Sequence, residues 1–148
     1  VLDLARDGLL YLDTSALMKL VVDEDETAAL RDELAKWGEG RFVTSALTRV
    51  ELPRAVSRAV PPVVLGDRLQ AVNELFDATH IIPLTDAVIA AAAVAAPPLL
   101  RSLDAIHLAS AQAASLGDQS AVVCGYDRRL QQAATDRGLL AISPGNLS

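Results

Sequence analysis

Short apolar runs that repeatedly give way to helical patterns constrain this chain more than any other feature. Leu9-Leu10-Tyr11-Leu12 is a run of the kind that forms a buried strand, and it ends at Asp13. Leu17, Leu20 and Val21 then follow at helical spacing, with Thr14 or Ser15 as the expected cap and Asp13 as another candidate. The acidic stretch at 23–26 opens a second helix carrying Leu30, Leu34 and Trp37, ended by Gly38 and Gly40. Residues 41–44 are expected as a strand. A helix from Ser45 should follow, with Leu47, Val50, Glu51, Ala55 and Ala59, shortened or kinked at Pro53 unless that proline lies in the first turn. Pro61-Pro62 breaks the chain before a helix at about 65–76, a strand at 80–84 and an alanine-rich helix capped by Thr85. Beyond Pro97-Pro98, the pattern predicts a helix over 103–116, capped by Ser102 and stopped by Gly117. A strand at 121–124, a helix at 128–137 and a short strand at 139–142 complete the series.

Strands that alternate with helices, none joined by a tight hairpin, imply a parallel sheet held between helices. The expected fold is therefore three-layer α/β/α around a central, mostly parallel sheet of about four or five strands. Right-handed crossovers collect the loops after the strands along one edge, where ligand sites of such sheets lie. A hydrophobic fraction of 51% suits one core, and neither an internal repeat nor a linker rich in Gly, Ser or Pro divides residues 1–148 into more than a single domain. The longest apolar stretch, 87–100, is too short for a membrane span and is broken by Pro97-Pro98. Asp3, Arg6 and Asp7 give no signal-peptide layout, and the lone Cys124 excludes an internal disulfide and suits a reducing cytosol. A cytoplasmic protein without membrane attachment is expected.

The net charge of −6 argues against strong non-specific binding to nucleic acid. Its layout tempers that conclusion, because Arg41, Arg49, Arg54, Arg58 and Arg68 fall in one stretch and Arg128-Arg129 follow Asp127. A site that grips phosphates through bound cations also needs fewer basic side chains.

Chemistry concentrates on Asp13, Glu51, Asp104 and Asp127. Asp13 directly follows a strand, Asp127 comes three residues after another, and Glu51 and Asp104 sit near helix starts. All four are therefore placed to face one cleft at the carboxyl end of the sheet. Two carboxylates 4 Å apart repel by roughly 4 kcal/mol at an effective dielectric near 20, so a cluster must take up protons or a cation. Hard divalent ions choose oxygen donors of this kind, whereas two His and one Cys without ligand spacing make a zinc site a poor fit. Taken singly, each acid has a plainer reading: Asp104 a helix-start acid, Asp13 and Asp127 caps, Glu51 a surface acid near Arg54 and Arg58. Asp23, Glu24, Asp25 and Asp86 suit caps and solvated surface. His107 suits packing or hydrogen bonding better than base catalysis, and Cys124 suits a small buried apolar group.

Leu-Asp13-Thr14-Ser15-Ala, Ser45-Ala-Leu-Thr-Arg-Val-Glu51, Asp104-Ala-Ile-His-Leu-Ala-Ser-Ala111 and Tyr126-Asp127-Arg-Arg-Leu together resemble a PIN-domain protein, most closely the VapC-type toxins of bacterial toxin–antitoxin pairs. The resemblance runs through nearly the whole chain, in order. It implies a PIN-like domain over 1–148 and a Mg²⁺- or Mn²⁺-dependent endoribonuclease leaving 5′-phosphate and 3′-hydroxyl ends. Asp13, Glu51, Asp104 and Asp127 would be its catalytic, metal-binding quartet, with Thr14 or Ser15 as a supporting hydroxyl. It also implies an RNA substrate, a homodimer, and a VapB-type antitoxin whose tail covers the cleft, where an inserted Arg would mimic the cation. The family often has Thr or Ser two residues before the last Asp, where this chain has Gly125, so a supporting hydrogen bond at the second cation position is expected to be missing. That departure keeps open a catalytically silent PIN-like module that binds RNA or protein. A haloacid-dehalogenase phosphatase would need an Asp at Ser15, and a receiver domain would need an acidic pair and a late Lys; neither pattern is met. No glycine-rich phosphate loop is present.

Overall fold

β1 (Leu10–Leu12) has all three residues buried, and so unbroken an apolar run is stable only when both of its faces are covered. The computed structural model, which describes residues 7–95, 98, 100–116 and 119–146, covers both. β1 is the middle strand of a five-stranded parallel sheet with β2 (Phe42–Ser45), β3 (His80–Ile82), β6 (Val122–Cys124) and β7 (Ala141–Ile142), in the order β3-β2-β1-β6-β7. Leu10 stands opposite Phe42 on one side and Val122 on the other.

Alternation along β1 divides the interior in two. Leu10 and Leu12 point to a core with Ala16 and Leu17 of α1 (Thr14–Val21), Leu30 of α2 (Thr27–Ala35), Leu52 and Val56 of α3 (Thr48–Ala59) and Val72 of α4 (Pro62–Asp77). Tyr11 points the other way, among Val43, Val123 and the buried faces of α6 (Ser102–Ala113) and α7 (Arg128–Asp136). α5 (Asp86–Ala93) packs along α6. Each fully buried Leu here contributes roughly 1.5–3 kcal/mol by leaving water. Three layers result, as expected.

Several local expectations are corrected. α3 begins at Thr48, three residues later than predicted, because Ser45 still pairs with Ile82 and its hydroxyl accepts from the Leu47 N–H. Pro53 neither shortens nor breaks α3. The carbonyl its missing N–H would serve belongs to exposed Arg49, where water can replace the bond. Asp13, rather than Thr14 or Ser15, caps α1, and Ser102 donates no cap to α6, whose N-cap is Arg101. α6 ends at Ala113, since Ala114 turns extended and leads into a ribbon of β4 (Ser115–Leu116) antiparallel to β5 (Gln119–Ser120). Two strands adjacent in sequence therefore pair antiparallel, where no tight hairpin was expected. The expected breaks at Pro97 and Gly117, and the residues Asp3 and Arg6, lie outside the described residues. Thr85 caps α5 as predicted, by accepting from the Val88 N–H.

Candidate active site

Parallel strands deliver their carboxyl ends to one edge, and here the chain leaves β1 toward β2 on one side while β6 lies on the other. The crevice between β1 and β6 is thus the switch point of the sheet. Asp13 enters it directly after β1. Gly125, Tyr126 and Asp127 enter it from β6. On the β2 side, Thr44 donates from its hydroxyl to the Leu12 carbonyl at 2.6 Å and stands 2.9 Å from the Thr48 hydroxyl. That buried link sets where α3 starts and carries Glu51, in the first turn of α3, to the same edge. Asp104 arrives in the first turn of α6.

Each acid is held in a distinct way. Asp13 is 3% exposed, and its Oδ1 accepts from the Ser15 hydroxyl at 2.6 Å and the Ala16 N–H at 2.9 Å. Burial pushes its carboxyl above the ordinary range, and the nearby Asp127 adds to the rise; His107, Ser15 and Ala16 pull the other way. Glu51 Oε1 accepts from Thr14 at 2.6 Å and lies 2.7 Å from His107 Nε2. Burial alone would raise Glu51, but those hydrogen bonds outweigh it and hold its carboxyl below the usual range. Asp127 caps α7, its Oδ1 accepting from the Arg129 and Leu130 N–H groups at 2.9 and 3.3 Å. Asp104 is 8% exposed and faces Arg101, whose Nε lies 3.3 Å from Oδ2. The same guanidinium reaches Asp127 Oδ2 at 3.8 Å through Nη2.

One regularity runs through these contacts. Asp13, Glu51 and Asp127 each fasten one oxygen to the protein through two hydrogen bonds. Among the described residues no protein donor is shown on the other oxygen of Asp13 or Glu51, and at Asp127 that oxygen faces Arg101. Carboxylates oriented through one oxygen leave the other as a ligand atom. The donor set is hard and anionic, and Arg101 already stands as a cation across two of its members, so the residues suit Mg²⁺ or Mn²⁺ in kind. Among the described residues no three His, Cys, Asp or Glu side chains converge closely enough to enclose an ion by themselves. Mg²⁺ needs no such cage, since it keeps waters and takes substrate phosphate oxygens beside one or two carboxylates.

Two residues gain definition here: His107, which the sequence suggested for packing or hydrogen bonding, and Gly125. His107 is 4% exposed and joins the site from behind, its Nδ1 2.7 Å from the Tyr11 hydroxyl and its Nε2 on Glu51. Because Glu51 is ionised and can only accept, Nε2 carries the proton. Its i+3 spacing from Asp104 on an apolar helix face was the available signal. The second is Gly125, expected to mark a missing hydroxyl. A Cβ at this position would lie 2.5 Å from Asp13 Cγ and 2.6 Å from Oδ1, so the Asp13 carboxylate fills the space a side chain would take. Hydroxyls come from elsewhere: Ser15 accepts from the Tyr126 N–H at 2.8 Å, and Ser143 donates to the Gly125 carbonyl. The Thr14 hydroxyl donates to Glu51 and the Ser15 hydroxyl to Asp13.

A strand-end Asp at the centre of a parallel sheet, joined at that edge by three further acids from two helices and a second strand end, defines the class to which this chain belongs. Residues 10–136 match the PIN domain. Ribonuclease VapC35 of Mycobacterium tuberculosis is 46% identical over 138 residues, covering 93% of this chain and 98% of that protein. Among solved structures, FitAcB from Neisseria gonorrhoeae superimposes with a TM-score of 0.72 at 22% identity, over 94% of this chain and 100% of that one. A toxin–antitoxin complex from Klebsiella pneumoniae gives 0.67 at 17% identity, over 93% and 99%. The chain belongs to the PIN-domain family, among the VapC-type ribonucleases.

Proposed function

We propose that this chain is an endoribonuclease toxin that cuts RNA with the help of Mg²⁺ or Mn²⁺, leaves 5′-phosphate and 3′-hydroxyl ends, and is neutralised by a cognate VapB-type antitoxin. The observation that carries this reading is the set of half-anchored carboxylates at the β1/β6 edge, in a chain nearly half identical to a ribonuclease over its length. Asp13, Glu51, Asp104 and Asp127 would hold the ion. When bound, such an ion lowers the pKa of water and offsets charge on a scissile phosphate. The protein's own part is orientation. Ser15 and the α1 N-terminus aim Asp13, Thr14 and His107 aim Glu51, and the α7 N-terminus aims Asp127, so that these three carboxylates need not reorganise as charge develops. On this reading water attacks the phosphodiester directly, with no covalent enzyme intermediate.

The antitoxin reading is supported by likeness to a structure of a toxin–antitoxin complex, and an acidic cleft suits a basic tail. A homodimer and a cytoplasmic location belong to the same reading; among the described residues no helix is long and apolar enough to cross a membrane. The test is cleavage of total bacterial RNA with and without EDTA, followed by Mg²⁺ or Mn²⁺ add-back, in the native chain and in Asp104→Asn. Cleavage should stop in chelator, return with either ion, and be absent in the variant. Cleavage that persists in EDTA or in Asp104→Asn would overturn the metal-dependent reading.

A further inference from the structure

Arg101 is the one basic residue shown reaching the acidic edge through ion pairs with two of its carboxylates among the described residues, and the manner in which it is held is informative. Its Nε is 3.3 Å from Asp104 and its Nη2 3.8 Å from Asp127, both longer than the 2.7–2.9 Å usual for charge-assisted bonds. The guanidinium therefore straddles two carboxylates without closing a bidentate pair on either. Asp104 is far less exposed than Arg101, whose side chain is 60% exposed. Arg101 is also the N-cap of α6, with extended backbone (φ −66°, ψ 150°), so its side chain leaves from outside the helix and is not packed along it. A loosely held, exposed cation across one buried and one half-buried acid is what a removable counter-ion looks like. Exposed ion pairs of this geometry are weak.

We infer that Arg101 occupies the cation position between Asp104 and Asp127 in the resting chain and turns to hold the RNA phosphodiester once a divalent ion takes those oxygens. This deepens the ribonuclease reading and rests on it. The divalent ion and the guanidinium compete for the same two Oδ2 atoms, and their like charges repel when both are present. Released, the side chain remains tethered at the mouth of the site by the first residue before α6. The planar guanidinium fork matches two phosphodiester oxygens, which Lys at the same place would not reproduce. Arg101 is then a catalytic residue with opposite effects on its two partners: it weakens ion binding and strengthens action on RNA.

That opposition is testable with the full chain and its Arg101→Ala and Arg101→Lys variants, each verified as folded by circular dichroism. Mn²⁺ alone is titrated by calorimetry, and bulk bacterial tRNA and rRNA are cleaved at saturating Mn²⁺. Arg101→Ala should bind Mn²⁺ about threefold or more tightly, yet cleave RNA about tenfold or more slowly at limiting RNA. Arg101→Lys should fall between the native chain and Arg101→Ala on both readouts. An unchanged Mn²⁺ affinity in Arg101→Ala overturns the counter-ion role, and unchanged cleavage at saturating Mn²⁺ overturns the phosphate role. Should the native chain cut no RNA in Mn²⁺ while Arg101→Ala still binds the ion more tightly, the nuclease reading is at fault instead. A native chain that cuts, matched by Arg101→Ala on both readouts, sinks this inference alone.

Discussion

Substituting Gly125 by Ala tests the central packing claim about the site. Gly125 is not among the glycines with positive φ, so the backbone accepts Ala and only the new methyl matters. That methyl would fall 2.5 Å from Asp13 Cγ and 2.6 Å from Oδ1, with Oδ2 closer still. Asp13 cannot simply slide away, because Oδ1 is fastened to Ser15 at 2.6 Å and to the Ala16 N–H at 2.9 Å. Rotating it breaks a helix cap worth about 1 kcal/mol and a bond to a charged acceptor worth about 1.5–3 kcal/mol. Against this, Ala in place of Gly restricts the unfolded chain and returns about 0.4–1 kcal/mol. The net expectation is a loss of about 2 kcal/mol, or roughly 4–8 °C in Tm for a domain of this size.

The assay is thermal or urea unfolding of the native chain, Gly125→Ala, Asp13→Ala and the double variant, read as a cycle. If overlap with the carboxylate is the cause, Gly125→Ala should be costly in the native background and neutral or slightly stabilising in the Asp13→Ala background. RNA cleavage should fall in Gly125→Ala, since its displaced Asp13 no longer points its free oxygen as before. An unaltered Tm in Gly125→Ala, or the same loss in both backgrounds, would refute the reasoning. Ser or Thr at this position should behave no better than Ala.

Asp13→Asn keeps an oxygen for the Ala16 N–H and removes a buried charge, so it should raise Tm at pH 7 while abolishing cleavage. Because burial raises the folded carboxyl above its ordinary 3.8, Asp13 opposes folding at neutral pH, and the gain in Asp13→Asn should shrink as pH falls toward 4; a Tm gain that is absent at pH 7 or constant with pH contradicts this. Glu51 has the opposite sign: its folded carboxyl lies below the ordinary 4.5, so it contributes stability above that value and loses it as pH falls through the folded one. Glu51→Gln should therefore lower Tm at pH 7, and the gap to the native chain should close in acid. His107→Ala should shift the Glu51 titration upward in carboxyl-detected NMR and cost about 1 kcal/mol by removing the imidazole bonded to the buried Tyr11 hydroxyl. A Glu51 titration unmoved in His107→Ala would show that the imidazole does not set that carboxylate.

What could be read along the chain was whatever repeats within one turn or one strand. The run Leu10–Leu12, the acids just after strands, the glycines that end α2 and the Thr85 cap all announce themselves over a few residues. Element boundaries that depend on a partner strand did not. Ser45 stays extended because Ile82 lies opposite it, and Pro53 is tolerated because its helix face meets water. The ribbon of β4 and β5 arises from two pairs of residues too short to carry a period.

The site divides along the same line. Four acids could be assembled from topology, since parallel strands must deliver their ends to one edge. Their individual states depend on contacts between residues far apart: Ser15 with Tyr126 across 111 positions, His107 with Glu51 across 56, Arg101 between two elements. Those contacts make the carboxylates unequal, one raised by burial and one lowered by an imidazole. Inequality matters for the chemistry, because four identical ionised groups would repel without order, whereas anchored ones present chosen oxygens. Gly125 shows what local reading leaves out. Compared with the family pattern it looks like a lost hydroxyl, yet in the fold it is the gap that lets Asp13 lie flat against the end of β6.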